Sequence, residues 1–381
     1  MSIDDDRERL LQAPRNDLAR ARDNPATWTG LAFAAAHDDA GRVFDRNRAA
    51  RFRVLWALQY DRRDRDLPLL RFLLEQQIAY YRDAVPWGLA PDLTLAGFLL
   101  TEHRQVEDVW LHWQAKNISF DTALGYKLFH LLTSGVAATV DAVRASSHSD
   151  RDRLLREIDS APYTDAAVEA WLAQQRLRFP ADPGDESLKT WANHAARLGE
   201  REVSRRFILS WAEGQPRSES TLNTLQFHLA HLGYLPEAVA VQKEAIAISS
   251  SSWAGAEASK LLTLVSLEQQ AGDFDGALHA LREAERALPG DKNGFYEGIW
   301  RHFVKWCFLL VPSAPDEPTA RRLFATSHAH LEGIPRLWMD GVLDAAITAA
   351  QHLRDADSVR RYEAMQQVAR HERDEEIRQA E

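Results

Sequence analysis

Apolar positions along most of this chain recur with the period of an α-helix. Phe52, Leu55, Trp56 and Leu58 fall on one stripe, and Leu69, Leu70, Leu73, Leu74 and Ile78 on another. That is the i, i+3, i+4 spacing of amphipathic helices. No alternating Val/Ile/Thr run bounded by turn residues occurs, so strands are not expected. Punctuation agrees with a helical reading. Asp66-Leu67-Pro68 places an N-cap before a proline in the first turn. Pro86, Gly88 and Pro91 interrupt the chain ahead of the next helix, with Asp92 near its start. Ser119 or Asp121 caps a helix after a turn at 117–121, Thr133-Ser134-Gly135 separates two more, and Tyr163-Thr164-Asp165 starts the one that carries Trp171.

Residues 1–25 are charged and hold Pro14 and Pro25, and they read as a leader without a fixed fold. The segment 179–185, FPADPGD, is the strongest linker in the sequence. The expected organisation is therefore the leader, an N-terminal helical domain over 26–180, and a second helical domain over 185–381.

The second domain has an internal ladder. Ser204, Ala238 and Ala277 are 34 and 39 positions apart, each between two apolar helical patterns. The helix pairs run from about Asp185 to Arg217, Glu219 to Ser252 and Glu257 to Asp291, with weaker pairs continuing to about Arg370. Gly233-Tyr234-Leu235-Pro236-Glu237-Ala238 and Gly272-Asp273-Phe274-Asp275-Gly276-Ala277 are similar turns. In each, glycine supplies a left-handed exit from one helix and alanine allows the next to cross closely. Pro289 then stops the third pair.

These turns and their period resemble the tetratricopeptide (TPR-like) repeat family over about 185–291. The resemblance implies an all-α fold of antiparallel helix pairs stacked as an α-solenoid, a right-handed superhelix whose concave face binds a protein or peptide. It also implies that the first helix of each pair lines the groove, here Lys189, Asn193, Arg197, Asn223, Phe227, His231, Ser266 and Gln270. The carboxylate clamp of the family's chaperone-binding members is matched by Lys189 and Asn193 alone. Its other positions fall on Thr224, beside Asn223, and on Ser259 and Thr263, so binding of chaperone tails is not expected.

Composition narrows the partners. The chain has 381 residues and a formal net charge of −10, which disfavours nucleic acid and anionic lipid and favours a basic partner. Its opening residues MSIDDDRER lack an apolar core, and no run is long enough to span a membrane, so a cytoplasmic protein is expected. Arginine far outnumbers the seven lysines, pointing to a GC-rich bacterial source. Vague similarity of Pro25 to Trp28 and Arg51 to Asp66 to all-helical immunity proteins adds an immunity or antitoxin-like role as one form of the binding reading.

Candidate chemistry is sparse. Cys307 is the lone cysteine, which excludes an intrachain disulfide and a cysteine-only zinc site, and it sits in an apolar context. No HExxH, GxSxG, Walker or dinucleotide motif occurs. A non-catalytic scaffold without metal or cofactor is the expectation. The alternative is an enzyme site near His103, Glu107, Asp108, His112 and Trp113, read as two i, i+4 pairs along one helix. His228 with His231, and His328 with His330, are weaker pairs. Arg42, Arg46 and Arg53, in the most basic stretch, are expected on one solvated helix face. Trp171, Trp191, Trp211, Trp300 and Trp306 are expected to fill gaps between stacked helices.

Overall fold

The computed structural model describes residues 2–39, 41–249, 255–289, 297–331, 339 and 341–380. The expected pair ends at Ser252 and Asp291 lie outside them. Among the described residues the chain is all-helical apart from one small hairpin. It divides into two compact units, Met1–Ser204 and Arg205–Glu381. The segment 179–185 lies within the first unit, where Gln59 Nε2 donates to the Pro180 carbonyl at 3.0 Å.

The first unit opens with α1 (Ile3–Asp23), where the sequence suggested a leader without a fixed fold. Two terms outweigh the charge and the internal Pro14. Ser2 and Asp5 form a capping box over a first turn of three aspartates. Leu10, Leu11 and Leu18 are then buried, each by about 1.5–3 kcal/mol on transfer. That burial offsets the roughly 3 kcal/mol an interior proline costs.

A two-stranded antiparallel hairpin follows, β1 (Ala35–His37) and β2 (Val43–Asp45). It corrects the expectation of no strands: three residues are too few to show alternation. Its turn is held by side chains, with Asp38 Oδ1 accepting from Arg42 N at 2.9 Å. Helices α2 (Arg48–Tyr60), α3 (Leu67–Ala84) and α4 (Pro91–Thr101) form the centre. Asp66 precedes α3 as expected, but its carboxylate does not cap it. It accepts instead from Arg22 Nε and Nη2, at 2.9 and 2.7 Å.

Helices α5 (Val109–Lys116), α6 (Phe120–Gly125), α7 (Val136–Ala145), α8 (Arg151–Asp159) and α9 (Asp165–Arg178) surround one core reaching from Leu18 to Leu172. Ser119, not Asp121, caps α6, and Thr164 caps α9. Helix α10 (Leu188–Arg197) joins this unit through aromatic contacts. The Trp191 ring meets Trp56 edge-on at 5.2 Å, and His194 lies 4.4 Å from Trp56.

Arg51 and Arg53 of the basic stretch go into internal ion pairs, whereas Arg42 and Arg46 are exposed. Arg51 is fully buried, pairing with Asp45 and donating to the Leu31 carbonyl at 3.0 Å. Arg53 pairs with Asp17 at 2.5 Å. Arg42 precedes β2 and Arg46 follows it, so they do not share a helix face with Arg53.

Helix α11 (Arg201–Glu213) crosses from the first unit to the second. The second unit contains α12 (Glu219–His231), α13 (Leu235–Ala247), α14 (Ala256–Gln270) and α15 (Phe274–Ala287). It continues through α16 (Glu297–Leu309), α17 (Glu317–Leu331), α18 (Val342–His352) and α19 (Ala356–Ala380). α12 pairs with α13, α14 with α15, and α18 with α19, while α13 also packs on α14. Ala238 and Ala277 are fully buried. Ser204 is buried as well, and its hydroxyl donates to the Ala192 carbonyl at 2.7 Å.

The turns share one geometry. Gly199, Gly233 and Gly272 have φ of +79°, +82° and +79°. At each, two backbone N–H groups close onto the preceding helix end; at the second, Gly233 N donates to Ala230 O and Tyr234 N to Leu229 O, both at 2.9 Å. The α18–α19 turn repeats the pattern with Arg354 (φ +56°) in the glycine's place.

Candidate functional site

The residues expected to line a groove separate into two groups. Lys189, Asn193 and Arg197 are on α10 in the first unit; Asn223, Phe227 and His231 on α12, and Ser266 and Gln270 on α14, belong to the second.

On α10, Arg197 is committed to its own unit. Its Nη1 and Nη2 donate to the two oxygens of Asp92 at 2.6 and 2.5 Å, and its guanidinium lies 3.7 Å above the Phe52 ring. Burial is the largest influence on Asp92 and pushes its carboxyl up. Hydrogen bonds from Arg197, with the charges of Arg197, Arg48 and His194, outweigh it and leave the pKa lowered. Lys189 and Asn193 are exposed.

In the second unit Asn223, Phe227 and His231 recur every four positions on α12, and all three side chains are exposed. Phe227 is 66% exposed. Its ring is parallel to that of His231, with centroids 6.3 Å apart and 7° between planes. Beside it a polar cleft of about 280 Å3 is lined by Glu219, Asn223, Gln226, Ser259, Lys260 and Thr263, among others. Lys260 Nζ meets Glu219 Oε1 at 2.8 Å, and this hydrogen bond holds the Glu219 carboxyl below its ordinary range. Gln242 Nε2 donates to the Lys260 carbonyl at 2.9 Å and fixes one wall. On α14, Gln270 Nε2 donates to Ser266 Oγ and carbonyl at 3.0 and 3.1 Å, so these two side chains satisfy each other. The arrangement offers amide and hydroxyl groups, one compensated ion pair and one exposed aromatic pair.

The alternative cluster does not assemble. Arg104 takes φ +51° and breaks the helix after Thr101, so His103 lies in a turn, Glu107 in a short 3-10 segment and His112 on α5. Glu107 is exposed, whereas His112 is buried with Nδ1 at 2.7 Å from the Tyr126 hydroxyl. Burial pushes the His112 pKa well down. His130 stacks on Tyr126 at 4.0 Å, and burial takes its pKa down to about 3. These are neutral core histidines. His328 Nδ1 lies 2.6 Å from the Tyr362 hydroxyl, and His330 Nε2 lies 3.3 Å from Glu285. Among the described residues no group of three or more His, Cys, Asp or Glu side chains is arranged to hold a metal ion. Cys307 is buried, which pushes its thiol pKa far up. Trp171 and Trp191 are buried as expected, while Trp211, Trp300 and Trp306 are half-buried.

One exposed surface escaped the sequence reading. Trp87 is 100% exposed, with Val85, Phe120 and Leu124 also largely exposed. The loop carrying Val85 and Trp87 is tied to α6, which carries Phe120 and Leu124, by Gly88 N donating to Asp121 Oδ2 at 2.7 Å. Val85 and Trp87 lie in a short break between helices and α6 is under two turns long, so neither stretch has enough periodicity to betray an exposed face.

Among the described residues no helix is long and apolar enough to cross a membrane. No protein-family model matches the chain and no curated protein matches it.

Proposed function

We propose that this chain is a non-catalytic, TPR-like scaffold that holds a partner protein or extended peptide along α12 and α14. In this reading the helix pairs stack as a right-handed solenoid and their first helices face the ligand. The exposed Asn223–Phe227–His231 face beside the polar cleft carries the argument. Exposing a phenylalanine to water forgoes about 1.5–3 kcal/mol of burial, which a partner recovers on docking. Amide and hydroxyl groups along the cleft suit the main chain of an extended peptide. The net charge of −10 favours a basic partner. A bacterial cytoplasmic immunity or antitoxin-like protein, masking a basic toxin, is the specific form proposed; it rests on that charge and on architecture.

The test is a pull-down from the native host with mass spectrometry, comparing wild type with N223A/F227A/H231A. A stoichiometric partner lost in the triple variant, with helical content unchanged, supports the reading. Retention of that partner by the variant removes α12 from it.

A further inference from the structure

The first unit contains a larger cleft, of about 660 Å3, between the end of α3, the length of α5 and the loop before α8. That volume is in the range of small-molecule sites. Trp110 forms an aromatic wall: its ring stacks on the exposed His148 imidazole with centroids 3.8 Å apart and 6° between planes. His148 Nδ1 accepts from Asp150 N at 3.1 Å, which fixes the ring's orientation. Asp150 Oδ2 accepts from Trp113 Nε1 at 2.9 Å. The other carboxylate oxygen has no protein donor among the described residues, and the exposed Gln114 amide has no protein partner there either. Arg82 stands exposed at the cleft, bonded among the described residues only to its neighbour Asp83 at 3.2 Å.

Each of these groups asks for a particular ligand feature. The Trp110–His148 wall asks for a flat π system. An ionised carboxylate accepts hydrogen bonds and donates none, so Asp150 asks for an N–H edge. Gln114 offers both a donor and an acceptor to a neighbouring edge. Arg82 asks for an anionic tail. An aliphatic ligand would cover Asp150 and Gln114 without pairing them, at a desolvation cost. Guanine presents two adjacent N–H donors on one edge, which adenine lacks, and a 5′-phosphate supplies the anion.

We propose that this cleft binds a free guanine mononucleotide, with its base against Trp110 and His148, its N–H edge on Asp150 and its phosphate at Arg82. The site lies wholly within the first unit and is independent of the proposed peptide face.

The test is calorimetric titration of the full-length protein with guanosine monophosphate, guanosine and adenosine monophosphate. Guanosine monophosphate is expected to bind 1:1, about tenfold or more tighter than adenosine monophosphate, since a bidentate base contact discriminates at about that level. Asp150→Asn, which keeps the acceptor for Trp113, should erase that preference. Gln114→Ala should weaken the nucleotide, and Arg82→Ala should weaken it while leaving guanosine unchanged; both side chains are exposed, so folding is not at stake. Absence of saturable guanosine monophosphate binding at millimolar concentration overturns the proposal, as does equal binding of both nucleotides or an unaltered preference in Asp150→Asn.

Discussion

Arg197 and Asp92, 105 positions apart in the chain, form a two-pronged ion pair with N–O distances of 2.6 and 2.5 Å. Asp92 is 2% exposed and lies at the start of α4, so α10 is fastened to the centre of the first unit by a charge that solvent barely reaches. Arg197→Ala would strand that carboxylate with only the more distant Arg48, at 3.7 Å. Losing one partner of a buried pair costs about 3–5 kcal/mol; the half-exposed arginine puts the expected loss near the lower end. Chemical denaturation of wild type and variant checks it, and a difference under about 1 kcal/mol would contradict the pairing.

Acid should destabilise the first unit. Burial holds His112, His130 and His194 neutral, with His130 and His194 down to about 3. The unfolded chain takes up these protons near pH 6.5 and the folded chain does not. Stability is therefore intact above about pH 6.5 and falls between there and about pH 3, by about 1.4 kcal/mol per pH unit for each histidine. Melts at pH 7.5 and 5.5 should differ strongly, and His130→Phe should reduce the slope by one proton. A flat profile across that interval would mean these rings are already charged in the folded protein.

Gly97 on α4 faces the Tyr126 ring so closely that a Cβ there would stand 2.9 Å from both Cε2 and Cζ. Gly97→Ala would push Tyr126 from its place against His112 and His130. Overpacking of this kind costs about 1–3 kcal/mol, more than the ~1 kcal/mol alanine gains as a helix former. A lowered melting temperature is expected; an unchanged one would show that the tyrosine relocates freely.

Val85 and Arg354 hold left-handed backbone, with φ of +42° and +56°. That conformation costs an L-residue about 1–2 kcal/mol, and glycine gives back about 0.5–1 kcal/mol of it through unfolded-state entropy. Val85→Gly and Arg354→Gly should each stabilise by up to about 1 kcal/mol, the latter restoring the turn residue found at Gly233 and Gly272. Destabilisation by both, measured by denaturant titration, would place these residues elsewhere in backbone space.

By itself the sequence determined the helical class, the pairing of α12 with α13 and of α14 with α15, the glycine turns and the buried positions of Ala238 and Ala277. Those features are set by neighbours: periodicity, a left-handed exit and a small side chain at a crossing act within a few residues of one another. Tertiary structure decided what depends on distant groups. Packing of Leu10, Leu11 and Leu18 turned a charged leader into α1. Asp17 took up Arg53, which looked solvated, and Asp45 and Leu31 hold its buried neighbour Arg51. Asp92 claimed Arg197 from the expected groove, and a left-handed Arg104 dispersed His103, Glu107 and His112. An ion pair between remote residues, or one strained backbone angle, leaves no periodic trace in the chain, because its energy depends on distances that exist only after folding.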